Sequence, residues 1–171
     1  MEKKIDYKIR ELVTDDYKEL FKVWNDESVI EYTLTNPNLS LENAEVKVRD
    51  ILADKNSYAF VCELESGEIV GLGILTRTAA LKQSHTGSIT VMISTPNQGK
   101  GIGGAFFEKI LDFADNELKL KILELKCQTR NANGLNLYKK FGFEIEGTLR
   151  KRTKIGENEY ADLFIMSRIK I

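Results

Sequence analysis

Histidine, tryptophan and proline are nearly missing from this chain. Among its 171 residues His85 is the only histidine, Trp24 the only tryptophan, and Pro37 and Pro96 the only prolines. With so little proline, no low-complexity stretch and no internal repeat, nothing marks a linker. One domain over residues 1–171 is expected, long enough to bury a proper core. Cysteine is scarce too. Cys62 and Cys127 both lie in apolar, strand-like runs, where a cysteine is normally a buried free thiol. Neither a disulfide framework nor a metal cluster with ligand spacing can be assembled from these residues, so no metal is expected. Excess charge is also absent: 25 basic against 26 acidic residues give a net charge of −1, which makes no case for a nucleic-acid or membrane surface. No apolar run reaches spanning length and the polar start shows no signal-peptide pattern. A cytoplasmic enzyme-sized domain, monomer or homodimer, is the expectation.

Glycine, by contrast, is concentrated. An apolar run ends at Ile93, a short turn follows, and Gly99, Gly101, Gly103 and Gly104 precede a strongly apolar helical pattern. Glycine lets the backbone pass close to a ligand with its N–H groups uncovered. A helix start adds unpaired donors and partial positive charge. Together they form a cradle suited to a pyrophosphate. A Walker A loop requires Ser or Thr after its Gly-Lys, but Lys100 is followed by Gly101. Gly99, Gly101 and Gly104 match the dinucleotide pattern G-x-G-x-x-G, with Glu124 about twenty positions on. However, about five residues separate the loop from its strand, Glu124 sits inside an apolar run, and too little chain remains for further βα units.

The pattern of apolar residues predicts a strand over 7–12, a helix over 14–25 capped by Thr14, a loop over 30–39, and a helix over 40–54 capped by Ser40. Strands follow over 58–64 and 68–76 around the turn Glu65-Ser66-Gly67, then over 86–93. The glycine loop launches a helix to about 118, with Ile102, Phe106, Ile110 and Phe113 at helical spacing. A strand over 122–128, a short helix over 133–141 stopped by Gly142, and strands over 143–149 and 160–169 complete the chain. The fold class is α/β (α+β), with one parallel step, strand–loop–helix–strand across 86–128, beyond whose strand ends a ligand should sit.

Gln98-Gly99-Lys100-Gly101-Ile102-Gly103 resembles the Q/R-x-x-G-x-G/A loop of the GNAT superfamily of acyl-CoA N-acyltransferases. Residues 131–143, from Asn131 through Tyr138 to Phe143, resemble that family's N-x-x-(A/G)-x-x-L-Y-x-K-x-G-F segment. The tail, with Gly147, Gly156, Tyr160, Asp162 and Met166, is similar to bacterial L-amino-acid, ribosomal-protein and spermidine N-acetyltransferases. The resemblance is close over residues 84–170; upstream only the order of elements agrees. It implies a mixed, mostly antiparallel sheet whose two parallel strands splay apart, one of them bulged. It implies acetyl-CoA as acyl donor. The pyrophosphate would be held by Gln98, Gly99, Lys100, Gly101, Ile102, Gly103 and Gly104, the pantetheine amides by the backbone of Val91, Met92 and Ile93, with Asn131 and Asn133 nearby. It further implies that Tyr138 protonates the departing thiolate.

On the residues alone, Tyr138 also reads as an amphipathic core tyrosine and Asn131 as a helix cap. Lys100 reads as a solvated surface lysine. The resemblance places the acceptor pocket around Trp24, Glu31, Tyr32 and the 31–39 loop, and keeps a substrate role open for His85. Many members carry a carboxylate on the strand before the glycine loop. Here that strand reads Ser88-Ile89-Thr90-Val91, which leaves the general base open, with Glu27 and Glu31 as distant acids. The expected acceptor is a small-molecule amine or a protein N-terminus, an amino acid favoured because an α-amine needs less help to deprotonate than a lysine side chain. A polyamine or ribosomal protein as acceptor, and a non-catalytic acyl-CoA-binding module, are the alternatives.

Overall fold

Period-two alternation in the strands and helical periodicity in between sort the apolar residues onto two faces of one sheet. The computed structural model describes residues 6–171. Its strands are β1 (Tyr7–Glu11), β2 (Ser57–Leu64), β3 (Ile69–Arg77), β4 (Thr86–Ile93), β5 (Ile122–Gln128), β6 (Glu144–Lys154) and β7 (Tyr160–Ile169). Its α-helices are α1 (Tyr17–Trp24), α2 (Glu27–Tyr32), α3 (Leu41–Ala53), α4 (Ile102–Asn116) and α5 (Ala132–Lys140). The seven strands lie in the order β1-β2-β3-β4-β5-β7-β6. Every neighbouring pair is antiparallel except β4 and β5.

Each face carries its own core. On one, Phe106, Phe107, Ile110 and Ala114 of α4 pack on Leu75, Ile89, Leu123 and Leu125. On the other, Leu20, Val23 and Trp24 of α1 and Ala44 and Val48 of α3 cover Val61, Leu72 and Met92. The first contact is unusually close because β3 offers glycines beneath α4. A Cβ on Gly71 would lie 2.9 Å from both the Met92 carbonyl oxygen and the Phe106 ring, and one on Gly73 would lie 2.8 Å from that ring.

The parallel pair is short. β4 and β5 are in register only over Thr86–Ile122, Gly87–Leu123 and Ser88–Glu124. Beyond that point β4 continues against β3 to Ile93, and β5 against β7 to Gln128. The two strands therefore splay, as the resemblance implies. Neither carries the implied bulge: the registers of β4 on β3 and of β5 on β7 are unbroken. Bulges occur instead between β2 and β3 at Cys62/Glu63 and twice between β6 and β7.

The strands over 86–93, 122–128 and 160–169 have the predicted bounds. Three elements differ. The predicted helix over 14–25 begins as a separate 3₁₀ turn, Thr14–Asp16, and Thr14 makes no cap. Buried Asp16 organises this corner, accepting from the Val13 N–H at 2.8 Å and from both terminal nitrogens of Arg10 at 2.8 Å. The predicted 30–39 loop begins inside α2. Asp26 creates this helix: its Oδ1 accepts from the N–H groups of Ser28 (3.0 Å) and Val29 (3.4 Å), and Val29 is buried against α1 and β3. Six residues are too few for periodicity to reveal. Finally, β6 runs to Lys154 rather than ending at 149, passing an irregularity where Lys151 takes φ +51°.

Two measurements check this packing. Gly71→Ala forces its methyl against a carbonyl and a buried ring, so it should destabilise the fold by about 1–3 kcal/mol, read as a lower denaturation midpoint. Asp26→Ala removes the α2 cap and should cost about 1–2 kcal/mol at neutral pH. Burial alone would raise the Asp26 pKa, but hydrogen bonds from the Thr95 N–H and hydroxyl, Ser28 and Val29 outweigh it and hold it below the ordinary 3.8. With the folded value depressed, the contribution is complete above the unfolded pKa and is lost as pH falls through the folded one. The stability gap between wild type and variant should therefore narrow below about pH 3.8.

Candidate active site

The splay leaves backbone groups on the facing edges of β4 and β5 without the ladder that their outer edges keep, and such groups require partners. Two cavities occupy the opening. The first, about 650 Å³, runs from Val91, Met92 and Ile93 along the glycine loop to the start of α5. The second, about 480 Å³, lies over the exposed strand positions Ser88, Thr90, Glu124 and Lys126. Both are lined by Tyr32, Thr33, Val91, Asn131 and Tyr138, so they meet at these residues.

The glycine loop is built by a 3₁₀ turn at Thr95–Asn97, in which Pro96 occupies the first helical turn. Gly99 (φ +70°) and Gly101 (φ +84°) then take left-handed conformations that reverse the chain into α4. No side chain caps α4, so the N–H groups of its first turn are free to meet a ligand. A Cβ on Gly99 would meet nothing within 4 Å, and one on Gly101 only the Tyr7 hydroxyl at 3.9 Å. The cradle is thus open where a phosphate would approach. Gly103 serves a different purpose: a Cβ there would stand 2.9 Å from Leu137, so this glycine lets α4 and α5 close together.

Helix α2 is fastened across the mouth. Asp26 accepts from the Thr95 N–H (2.9 Å) and hydroxyl (2.8 Å). The Gln98 amide donates to the Ser28 hydroxyl (2.6 Å) and the Ile93 carbonyl (2.9 Å). At the other end, buried Gln128 donates to the Glu31 carbonyl (2.9 Å), and Arg130 pairs with Glu31 (3.3 Å) while lying over the Tyr32 ring. Among the described residues, Arg130 is the one charged side chain lining the first cavity, which favours an anionic occupant.

Val91, Met92, Ile93, Gln98, Gly99, Gly101, Gly103, Gly104, Asn131, Asn133 and Tyr138 all line the first cavity. Lys100 and Ile102 do not: Lys100 is exposed, and Ile102 is buried in the α4 core, leaving only its backbone N–H near the cradle. Asn131 caps α5 through its Oδ1, which accepts from the Gly134 N–H at 3.0 Å, and also lines both cavities. Of the predicted acceptor region, Tyr32 and the loop residues Thr33 and Leu34 reach a cavity; Trp24, Glu31 and His85 do not. Trp24 is core, 1% exposed, with Lys47 above its ring. Glu31 is engaged by Arg130. His85 precedes β4 at the end away from the splay, roughly 20 Å along the strand from Val91 at about 3.3 Å per residue.

Tyr138 packs its ring on Phe107 at 5.4 Å between centroids, and its hydroxyl has no hydrogen-bond partner among the described residues. Burial first, then proximity to Cys127, push its pKa well above the ordinary 10.0, so the phenol stays protonated. Burial likewise pushes the thiols of Cys62 and Cys127 up to about 11. A thiol held neutral is a poor nucleophile, so Cys127, for all its closeness to Tyr138, is not suited to carry an acyl group. Sequence reasoning did not single out Ser28, Arg130 or Lys126, and weighed Glu124 only as a ribose-binding acid. The strand residues were readable from the parallel step, because positions two apart on β5 share a face with Ser88 and Thr90 on β4.

Comparison with known proteins agrees with this geometry. Residues 7–144 match the family model described as an acetyltransferase (GNAT) domain. The L-amino acid N-acetyltransferase AaaT of Escherichia coli (strain K12) is 27% identical over 162 residues, covering 95% of this chain and 97% of that protein. Among solved structures, an acetyltransferase of the GNAT family from Streptococcus pneumoniae superposes with a TM-score of 0.84 at 26% identity, covering 96% of this chain and 99% of the other. Spermidine N-acetyltransferase from Vibrio cholerae, solved with CoA and spermine, gives a TM-score of 0.84 at 22% identity over 96% and 95% of the two chains, a likeness of fold. This chain belongs to the GNAT family of N-acetyltransferases, enzymes that use acetyl-CoA.

Proposed function

We propose that this enzyme acetylates the primary amine of a small molecule, an amino acid in preference to a polyamine or a protein N-terminus, by direct attack with both substrates bound together. The observation that carries the proposal is the meeting of the two cavities at Tyr138. One suits acetyl-CoA and the other an acceptor. The residues present fit the donor: an uncapped helix start, a loop whose glycines leave open space, and a cation at the mouth. Acetyl-CoA, when bound, supplies the acetyl group as a thioester. The backbone of Val91, Met92 and Ile93 would pair with the amide arm of the donor as an added strand does. N–H groups on that edge would polarise the acyl carbonyl.

Tyr138 would donate to the sulfur as charge develops there. Its raised pKa keeps it a neutral hydrogen-bond donor to the developing thiolate; passing the proton to sulfur costs energy unless the same burial also raises the pKa of the departing thiol. Cys127 lines neither cavity and its thiol is held neutral by burial, so it offers no acyl acceptor. Holding the two substrates side by side supplies most of the acceleration through orientation. The relative named for L-amino acids spans nearly the whole chain, which supports an amino acid as acceptor.

Three outcomes test this reading. Gly101→Val puts a branched side chain at φ +84° and blocks the cradle. Acetyl-CoA affinity measured by calorimetry should fall at least tenfold, about 1.4 kcal/mol. Tyr138→Phe keeps the ring packing and removes the donor. Here kcat should drop tenfold or more, since a positioned acid contributes about 10²–10⁴-fold, with acetyl-CoA affinity nearly unchanged. Wild-type single-turnover rates in that variant would return Tyr138 to a packing role. The pH profile follows in sign: because the phenol pKa lies above 10.0, kcat/KM should rise as the acceptor amine deprotonates and show no descending limb below about pH 10.

A further inference from the structure

The second cavity contains charge that the proposed chemistry does not use. Its lining includes two charged side chains of opposite sign, Glu124 and Lys126, two residues apart on β5 and facing the same way. Both are exposed, and among the described residues neither forms an ion pair or a side-chain hydrogen bond. Ordinary surface charges two apart on a strand need no explanation. These two differ in their position: they stand in the cavity that ends at Tyr138, next to Ser88 and Thr90 of the splayed partner strand. Thr153 lines the same cavity from β6, but its hydroxyl is buried away from it.

The lining holds one charge of each sign; Arg150, Lys151, Arg152 and Lys154 are exposed on β6 but do not line it. Arg130, at the shared mouth, is paired with Glu31. A polycationic amine would meet Lys126 with a single carboxylate, Glu124, to balance its several charges. An amine that carries its own carboxylate would find a partner for each charge.

We infer that Lys126 is the specificity-determining residue of the acceptor cavity: it takes the carboxylate of an α-amino acid, while Glu124 faces the ammonium. The inference rests on the proposed function and names the residues that select its substrate. It explains how the cavity can bind an amino acid with no acid on β4. It also predicts that the free carboxylate, not only the α-amine, is read.

The test uses the purified full chain, acetyl-CoA and a thiol-release assay. The acceptors are free amino acids, the corresponding amino-acid amides, and spermidine. Wild type should favour a free amino acid over its amide at least tenfold in kcat/KM, chiefly through KM. Lys126→Ala should erase most of that preference by raising KM for the free acid. Lys126→Glu should move the preference towards spermidine. Both substitutions are at an exposed position, and circular dichroism would verify the fold. An amide used as well as its acid by wild type, or an equal loss for acid and amide in Lys126→Ala, would overturn the assignment while leaving the amine-acetylating site standing. Spermidine exceeding every amino acid in wild type would do the same. Absence of thiol release with all three acceptor classes would instead overturn the proposed small-amine acceptor itself.

Discussion

The site depends on the parting of β4 from β5 after Ser88 and Glu124. Up to that point the sheet is continuous; past it, each strand is held only by its outer neighbour. A sheet that opens in its middle exposes backbone donors and acceptors that must be satisfied by something other than a strand. Side chains fill part of the gap, Leu137 and Tyr138 from α5 among them. The rest is the pair of cavities. An extended ligand with amide groups can complete the interrupted ladder, which is why this architecture suits a long, amide-bearing acyl donor.

Keeping such a fork open needs bracing, and polar side chains supply it. Asp26 and Gln98 join the start of α2 to the segment after β4, while Gln128 and Arg130 join its end to β5. Helix α2 thus bridges the two strands that have separated. A six-residue helix has little stability of its own; it owes its form to the Asp26 cap and to burial of Val29. The same residue, Asp26, caps the helix and anchors the segment leading into the glycine loop, so loop and helix are positioned together.

How much of this could be read beforehand varied with the kind of signal. Strands β4, β5 and β7 and the helix behind the glycine loop were legible because long alternating or helical apolar runs override local ambiguity. Gly99 and Gly101 were legible as a turn that only glycine makes easily, and both take positive φ. Gly103 was legible only as part of a pattern, since its role is to admit Leu137, a partner thirty-four positions on that no local rule reveals. Helix α2 was hidden by its length. Trp24 and His85, which the resemblance offered for the acceptor, reach neither cavity. Glu124 was weighed as a ribose-binding acid and set aside for lying inside an apolar run. That run is a strand with two faces, and the face bearing Glu124 and Lys126 opens on the second cavity.

Burial of the fork has one chemical consequence for several groups at once. It raises Tyr138 and Cys127 together, because a low-polarity environment penalises the phenolate and the thiolate alike. A site that disfavours isolated anions suits a reaction in which negative charge on sulfur is transient. The neutral phenol can meet that charge as it forms, and the neutral Cys127 thiol does not compete for the acyl group. It also disfavours an ammonium at the point of attack, so the acceptor must arrive there uncharged. The polar and charged groups of the second cavity lie at its strand faces, where an acceptor can bind in its charged form before its amine moves towards Tyr138 and gives up a proton. The absence of an acid on β4 is then consistent with the rest of the site. The acid that the second cavity does contain is Glu124 on β5, at an exposed strand position beside Ser88 and Thr90.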